Sequence, residues 1–360
     1  MKFILVILLI VYSISGNAQY PTVDMPGTAT RNIISSIVSG QEYVLHIALP
    51  AGYNNLQKKY PVIYLMDSQW DFPLVKSIYG EQYYDGFIPE MIIVGVTWGG
   101  NHPNPDSLRA RDYTPTKEMR LPQSGGADLF LSFMKNELFP FIESSYRADP
   151  EKRVLMGCSL GGLFTLYALF TQPDLFMGYA AASPAIGWDQ GVISRYEKGF
   201  KALTVAKPKR LYMTVGDVER GRMGFEQFSD RILLEKHKNL LMQSRVLENT
   251  GHSGTKNETY ARGLQYLFER PSLQLSETLL DMHCGLYASD DGNRVQIKKQ
   301  GNWLILFLSD FIAYPLQAAS ENDFYSTAEF LNTRFTKGNN LEDGLIINRY
   351  GSNLFYKKIK

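Results

Sequence analysis

Ser159 lies in the pattern Gly157-Cys-Ser-Leu-Gly161, in which glycine stands two residues away on each side of a serine. Residues 154–156 are apolar and predict the end of a buried strand, and residues 162–170 form an apolar run of helical type. Strand, sharp turn and helix are the setting in which a serine hydroxyl is held exposed on a strained turn as a nucleophile. The pattern therefore predicts Ser159 as an attacking hydroxyl for acyl transfer.

A serine nucleophile needs a base to accept its proton, and the chain has five histidines. His252 follows the last strand predicted in the sheet and lies in a loop bracketed by Gly251 and Gly254. In an open α/β sheet the active site gathers at the carboxyl ends of the strands, and only His252 satisfies that condition. We therefore expect His252 to be the base.

The acid that orients the base should come between the serine and the histidine in the chain. The predicted strand at residues 211–215 runs into two carboxylates, Asp217 and Glu219. Both are placed to reach the imidazole. Glu219 is the first choice and Asp217 the second, and a Ser-His pair without either acid is the third interpretation.

Stabilising the negative charge of an acyl-transfer intermediate requires two backbone N–H groups aimed at the oxyanion. One is expected from Leu160, directly after the nucleophile, and the other from Gln69, after an earlier buried strand. Trp70, Tyr113 and Trp188 fall on predicted loops at the same edge. We expect these aromatic side chains to line a groove for an aryl or sugar group.

A sheet with helices on both faces is needed to bring these residues together. Strand-like and helix-like segments alternate along most of the chain, which indicates a mostly parallel, doubly wound sheet. Strand-like runs at 32–37 and 41–49 predict antiparallel edges. Pro140 predicts a kink, or a break into two helices, within a helical stretch at 126–146, and residues 99–123 are predicted to form a surface loop. Further strands are predicted at 61–67, 91–97, 178–183, 209–215 and 241–248.

The alternation ends near Pro271, and five short β-type runs separated by turn residues follow. Such spacing is typical of a separate all-β unit, a small barrel or a sandwich. The predicted organisation is therefore a leader at 1–18, an α/β catalytic domain at 19–271 and a small β-rich domain at 272–360.

The first residues have the pattern of a secretory signal peptide. Lys2 is followed by an apolar run at residues 3–12, and small residues allow cleavage after Ala18. The alternative, a retained membrane anchor, is disfavoured because the run is short for a span of about 20 residues. We expect a secreted or periplasmic protein without stable membrane insertion after cleavage.

Composition excludes several other classes. A net charge of +1 without a basic run argues against nucleic acid as a partner. No cluster of His, Cys and Asp at ligand spacing predicts a metal, and no cofactor is expected. The two cysteines, Cys158 and Cys284, are expected to be free thiols.

Several separated segments resemble the putative-esterase family of α/β-hydrolases, which includes esterase-D-like S-formylglutathione hydrolases, enterochelin-type siderophore esterases, feruloyl and acetyl-xylan esterase domains and mycolyltransferase antigens. The matching pieces are residues 60–67 (YPVIYLMD), 111–115 (RDYTP), 137–143 (ELFPFIE), 157–162 (GCSLGG), 183–188 (SPAIGW) and 251–252 (GH). The resemblance implies an α/β-hydrolase fold, with Ser159 as nucleophile and His252 as base. It leaves the acid unsettled. It also makes a siderophore substrate less expected, because siderophore esterases commonly carry an N-terminal β domain that does not occur here.

The main hypothesis is an exported serine esterase that forms an acyl-enzyme. Its expected substrate is a small-molecule or polysaccharide-linked ester, and the ester group is carbohydrate-linked or aryl. The segment between Ser183 and Lys209 is short for a lid, which predicts an open cleft. One alternative is acyl transfer to an alcohol by the same residues. The other is a non-catalytic protein that binds a glycan or a partner on a hydrolase scaffold.

Overall fold

The structure, a computed structural model, describes residues 25–55, 58–336 and 343–360. The leader predicted at 1–18 lies outside the described residues, as does the start of the domain predicted at 19–271. Two β-sheets organise the described chain, an open sheet of eight strands and a closed barrel.

The open sheet has the strand order β1-β2-β4-β3-β5-β6-β7-β8. Its first three members pair antiparallel, and the rest pair parallel. The strands are β1 Thr28–Ile34, β2 Glu42–Ala48, β3 Tyr60–Leu65, β4 Ile92–Trp98, β5 Ala148–Cys158, β6 Gly178–Ala182, β7 Lys209–Gly216 and β8 Leu240–Leu247. Every residue of β3 and β4 is buried, as expected for strands covered on both faces. The predicted antiparallel edge and parallel centre are both present.

Helices cover both faces of this sheet. They are α1 Ser68–Tyr84, α2 Pro105–Tyr113, α3 Ala127–Phe133, α4 Phe139–Ser145, α5 Leu160–Thr171, α6 Ile193–Phe200, α7 Arg222–Glu235 and α8 Thr255–Leu267. One π-helical turn, Met134–Leu138, separates α3 from α4, and Pro140 lies in the first turn of α4. The helical stretch is therefore divided just before Pro140, by a change to π-helical geometry and not by a loop.

The prediction of a loop at 99–123 was wrong for part of the region, because Pro105–Tyr113 forms α2. The Asn104 side chain accepts a hydrogen bond from the Ser107 N–H at 3.1 Å, and Pro105 occupies the first helical turn. A capping asparagine followed by proline is a helix start. That signal was present in the sequence within a stretch whose Pro and Asn content suggested a loop.

A closed antiparallel barrel follows the open sheet. Its strands are β9 Gly285–Ala288, β10 Arg294–Gln300, β11 Trp303–Phe307, β12 Ala313–Ala318, β13 Asp323–Ser326, β14 Leu331–Thr336, β15 Gly344–Arg349 and β16 Ser352–Lys358. β16 pairs with β9 to close the ring, and helix α9, Glu277–His283, precedes it. The predicted fold class, an α/β-hydrolase sheet with a small C-terminal all-β domain, is confirmed. The boundary predicted after residue 271 lies between α8 and α9.

The barrel packs against the end of α1. The Phe330 N–H donates to the Tyr84 carbonyl at 3.1 Å, and the Tyr83 and Phe330 rings lie 4.9 Å apart. Gly86 has a φ of +75°, and a Cβ there would lie 2.7 Å from the Glu329 carbonyl oxygen. No helix in the described ranges is long and apolar enough to cross a membrane.

Candidate active site

Ser159 lies on a strained turn between β5 and α5. Its backbone has φ 59° and ψ −115°, a conformation that a residue with a side chain rarely adopts. The Ser159 N–H donates to the Ala182 carbonyl, and the Ala185 N–H donates to the Ser159 carbonyl, both at 2.9 Å. These bonds to the segment after β6 hold the strained turn in place.

Gly157 shows why the turn needs glycine. A Cβ on Gly157 would lie 2.5 Å from the carbonyl carbon and oxygen of Gly161. No side chain fits at that distance, so the strand and helix approach each other only with glycine at this position. The half-buried Ser159 side chain is consequently placed at the carboxyl edge of the sheet.

His252 and Glu219 are in direct contact at the same edge. The distance between His252 Nδ1 and Glu219 Oε2 is 2.7 Å. Because Nδ1 is engaged with the carboxylate, Nε2 is the ring nitrogen left to exchange a proton with a hydroxyl. The His252 side chain is 51% exposed, so a ligand in solution can reach it.

The other oxygen of Glu219 is held from two sides. Glu219 Oε1 accepts hydrogen bonds from the Gly216 N–H at 2.7 Å and from the Ser183 hydroxyl at 2.5 Å. Burial raises the pKa of Glu219, but the bonds from Ser183, Gly216 and His252 outweigh burial and lower that pKa below its ordinary value. The carboxylate is therefore ionised beside the imidazole at neutral pH.

Asp217 has a different set of partners. Its carboxylate accepts a hydrogen bond from the Thr250 N–H at 3.1 Å, and backbone bonds from Asn249 and Thr250 lower its pKa. The contact joins the loop after β7 to the loop after β8. The structure thus brings Glu219, and not Asp217, against the His252 ring.

Ser183 and Thr255 belong to the same network and were missed in the sequence. The two hydroxyl oxygens lie 2.8 Å apart, and Thr255 Oγ1 lies 2.8 Å from the His252 carbonyl oxygen. Both residues are buried, and Ser183 has a φ of 39°. The Ser-Pro that follows β6 was a weak signal, because it is equally typical of an ordinary turn.

Leu160 and Gln69 both lie in the first turn of a helix. Leu160 is the first residue of α5 and Gln69 the second of α1, so neither N–H has a partner within its helix. The Gln69 side-chain amide atoms are buried and have no hydrogen-bond partner in the described part of the chain. Two helix N-termini near the Ser159 turn therefore present backbone N–H groups that have no partner within their own helices.

The three aromatic residues expected in a groove have three different environments. Trp70 is 50% exposed, and the Arg109 guanidinium lies 5.5 Å from its ring. Trp188 is half-buried, and its indole N–H donates to the Thr116 carbonyl at 3.2 Å, which ties two loops together. Trp70 is the most exposed of the three, but it lies in the first turn of α1 and not on a loop as expected.

The expectation for Tyr113 was wrong. Tyr113 is fully buried at the end of α2, and its ring packs against Trp98, Phe130 and Phe164. Its hydroxyl accepts the Asp67 N–H at 3.1 Å. Because α2 directs this side chain into the core, Tyr113 holds the segment before Gln69 through the hydrogen bond to the Asp67 N–H and does not face a ligand.

Buried ion pairs fix the start of α1. Arg109 binds both oxygens of Asp67, at 3.0 and 2.8 Å. One turn later, Asp71 accepts from Lys256 Nζ at 2.5 Å and from the Tyr260 hydroxyl at 2.6 Å. Since Lys256 and Tyr260 belong to α8, the segment with Gln69 is joined to the helix that follows His252.

A cleft of about 820 Å³ opens beside the Glu219–His252 pair. Its walls come from the segment after β6 and from α7, and include Ile186, Gln190, Gly224 and Phe225. Two cations, Arg220 and Arg231, also line it. In the described ranges no group of three or more His, Cys, Asp or Glu side chains could hold a metal ion.

A serine on a tight strand-to-helix turn, at the carboxyl edge of a mostly parallel sheet that also carries a His–carboxylate pair, defines a serine hydrolase of the α/β-hydrolase fold. The profile of the family described as "Putative esterase" matches residues 35–289. The chain belongs to this family and is a serine ester hydrolase.

Known proteins similar to the chain share this fold. Ferri-bacillibactin esterase BesA of Bacillus subtilis is 29% identical over 278 residues, which cover 70% of this chain and 93% of BesA. The crystal structure of the BES protein from Bacillus cereus has a TM-score of 0.62 at 28% identity, and covers 69% of this chain and 97% of that one. An IroE-like serine hydrolase from Shewanella oneidensis has a TM-score of 0.59 at 27% identity, and covers 67% and 80% of the two chains.

These relatives remove the reason for disfavouring a siderophore substrate. BesA is named as a ferri-bacillibactin esterase, and this chain covers 93% of its length. An additional N-terminal β domain is therefore not required in such an enzyme. The argument against a siderophore substrate therefore loses its premise, and the substrate class stays a prediction.

Proposed function

We propose that the protein is an exported serine esterase in which Ser159, His252 and Glu219 act as nucleophile, base and acid. The observation that carries the proposal is the 2.7 Å contact between His252 Nδ1 and Glu219 Oε2 at the sheet edge that also holds Ser159. His252 Nε2 takes the proton from Ser159 as its Oγ attacks the ester carbonyl, then gives it to the leaving alcohol. Water subsequently releases the acid from the acyl-enzyme.

The negative charge of the tetrahedral intermediate is stabilised by the N–H groups of Leu160 and Gln69. Both stand at helix N-termini, where the helix dipole also favours an anion. The bonds that join α1 to α2 and α8 keep the Gln69 amide fixed relative to Ser159 and His252. This preorganisation is the expected source of much of the rate enhancement.

The proposed substrate is a bulky small-molecule ester of the siderophore class. Relatives of the chain are named ferri-bacillibactin esterase and siderophore triacetylfusarinine C esterase, and the cleft of about 820 Å³ beside His252 accommodates a large acyl or alcohol group. Arg220 in its wall favours a substrate with negative charge, whereas the charge of Arg231 is paired with Glu197 at 3.4 Å. An aryl or carbohydrate-linked ester is the alternative, for which exposed Trp70 offers a stacking surface.

Labelling with a fluorophosphonate, followed by rate measurements on three esters, tests the function. Wild-type protein should be labelled and Ser159→Ala should not, since only an activated serine reacts. Hydrolysis of a siderophore triester, methyl ferulate and acetylated xylan then ranks the substrates by kcat/KM. Absence of labelling in a folded wild-type protein would contradict the esterase proposal, and a higher value for methyl ferulate would contradict the siderophore class.

Export is tested separately. Expression of the full chain should give a product in the periplasm or the medium whose first residue is Gln19. A product that retains Met1 and stays with the membrane would favour an uncleaved anchor.

A further inference from the structure

Two neighbouring cavities share wall residues where the barrel joins the α/β domain. One, of about 470 Å³, has apolar walls, and the other, of about 330 Å³, is lined mainly by polar groups. Phe87, Glu269 and Arg270 line both. We call the two together the junction cavity. Its apolar part is lined by Phe87, Ile88, Met177, Leu267, Phe268 and Phe330.

The junction cavity is remote from Ser159. Its walls include Pro61 at the start of β3, Pro89 ahead of β4 and Met177 directly ahead of β6. Ser159, Glu219 and His252 instead follow the carboxyl ends of strands in the same parallel sheet. The two sites therefore lie at opposite edges of the sheet, and a ligand in one does not contact the other.

Arg270 is a largely buried cation without an acidic partner in the described residues. Its guanidinium donates to Asn332 Oδ1 at 2.5 Å and to the Gly86 carbonyl at 2.8 Å, and its Cζ lies 3.9 Å from the Tyr325 ring centroid. These bonds use two of the five N–H donors of a guanidinium. Burial lowers the pKa of Arg270. A buried charge is costly unless an opposite charge pairs with it.

The remaining charges of the junction cavity are mostly positive. Around the apolar part, Lys58 pairs with Glu90 and Lys152 with Asp149, whereas Lys59 has no ion pair in the described residues. In the polar part, Arg245 pairs with Glu258, and Arg262 has no ion pair within the described ranges. The two acids in the walls have partners, since Glu90 pairs with Lys58 at 2.5 Å and Glu269 with Arg210 at 2.6 Å. The cavity thus combines apolar walls with an excess of positive charge.

We propose that the junction cavity binds an amphipathic carboxylate, with the apolar body of the acid against Phe87, Met177 and Phe330 and its carboxylate on Arg270. A carboxylate supplies the negative charge that Arg270 lacks, and a planar guanidinium binds it through two parallel hydrogen bonds. The apolar chain removes the surrounding aromatic and aliphatic surface from water. The site is independent of the esterase reaction.

Calorimetric titration of octanoate into the full-length protein, with 1-octanol as the uncharged analogue, tests this site. The titration is done on the unlabelled protein and on protein labelled at its active site with a fluorophosphonate, so that any octanoate binding at the active site is recognised. Ser159→Ala serves as a second form with an altered active site. We expect octanoate to bind both forms equally, and Arg270→Gln to weaken it by about tenfold or more, because a charged hydrogen-bond pair is lost. Octanol should bind weakly and respond little to Arg270→Gln.

The matched control is Arg294→Gln, which removes an exposed cation from the outer face of β10 and should leave octanoate affinity unchanged. If Arg270→Gln does not fold, Met177→Trp, which fills the apolar part without altering charge, decides the question and should abolish binding. The proposal would be overturned if octanoate affinity were unchanged in either folded variant. It would also be overturned if labelling of the active site abolished octanoate binding.

Discussion

Two carboxylates follow β7 within three residues, and they differ in what they touch. Glu219 contacts the His252 ring at 2.7 Å, whereas Asp217 binds the Thr250 N–H at 3.1 Å. One is positioned to orient an imidazole and the other to join two loops. Substitution of each by its amide separates these roles without a change in size.

We expect Glu219→Gln to lower kcat by about 10³- to 10⁴-fold, because an amide cannot stabilise the imidazolium or fix its tautomer. Asp217→Asn, the matched control, should change kcat less than about fivefold, since it removes only a loop contact that water can replace. Hydrolysis of p-nitrophenyl acetate measures both. Equal losses in the two variants would reject Glu219 as the acid.

Ser183 should act as a positioning residue through Glu219. In Ser183→Ala the carboxylate loses the hydroxyl donor on Oε1, and one hydrogen bond to a charged group contributes about 1.5–3 kcal/mol. We expect kcat to fall by about tenfold or more with little change in KM. Ser194→Ala, whose hydroxyl accepts from Arg231 in the same cleft, is the control. A change in KM alone would assign Ser183 to ligand binding.

The sequence was informative for residues whose role follows from their place after a strand. Ser159, His252 and the two acids could be proposed because parallel strands end at one edge of the sheet. Tyr113 and Ser183 could not be assigned in this way. The direction of the Tyr113 ring depends on how α2 packs on the sheet, and the Ser183 bond depends on a positive φ that a Ser-Pro pair does not specify.

At the level of elements, Glu137 in the π-helical turn is hydrogen-bonded to the turn that follows β1. Its carboxylate accepts hydrogen bonds from the Ser35 hydroxyl at 2.6 Å and from the Ser36 N–H at 3.0 Å. Burial raises the pKa of Glu137, but the bonds from Ser35, Ser36 and Ile37 lower it overall. The bonds are therefore strongest when the carboxylate is ionised.

We expect Glu137→Gln to lower the free energy of unfolding by about 1 kcal/mol at pH 7. Because the folded-state pKa lies below the unfolded value, the contribution is complete above the unfolded pKa of about 4.3 and is lost as the pH falls through the folded one. Urea unfolding at pH 7 and at pH 3 measures the difference between the two proteins. A difference that persists unchanged at pH 3 would show that charge is not involved.

Strand existence was easier to predict than strand partnership. β3 and β4 are continuously apolar, which marks strands buried on both faces whatever their neighbours are. In the barrel, β13 has four residues and β9 another four, and such short runs carry little periodic signal. Closure by β16 on β9 is a tertiary property, so the sequence left barrel and sandwich open.

At the level of the whole molecule, Gly86 allows the barrel to approach the α/β domain. Gly86→Ala places a Cβ 2.7 Å from the Glu329 carbonyl oxygen and at a φ of +75°. We expect it to destabilise the protein by about 1–3 kcal/mol and to expose the junction to limited proteolysis. Hydrolysis of a small ester should be retained, because the Ser159 edge lies at the far side of the sheet.

Gly80→Ala is the control for that substitution. Gly80 lies within α1 on the exposed side, and nothing lies within 4 Å of the position of its Cβ. Alanine there should stabilise the helix by about 0.5–1 kcal/mol. Destabilisation by both variants would mean that the end of α1, and not the barrel contact, is sensitive to change.

The pairing of β16 with β9 also determines the order in which the chain can fold. All strands of the open sheet leave the ribosome before β9, but the barrel cannot close until Ser352–Lys358 has been synthesised. Until then its strands form a meander with two unpaired edges, the form of a sheet most prone to pair with another chain. The α/β domain is therefore expected to reach its native state first, and the interval before closure is the period in which the nascent protein most needs a chaperone.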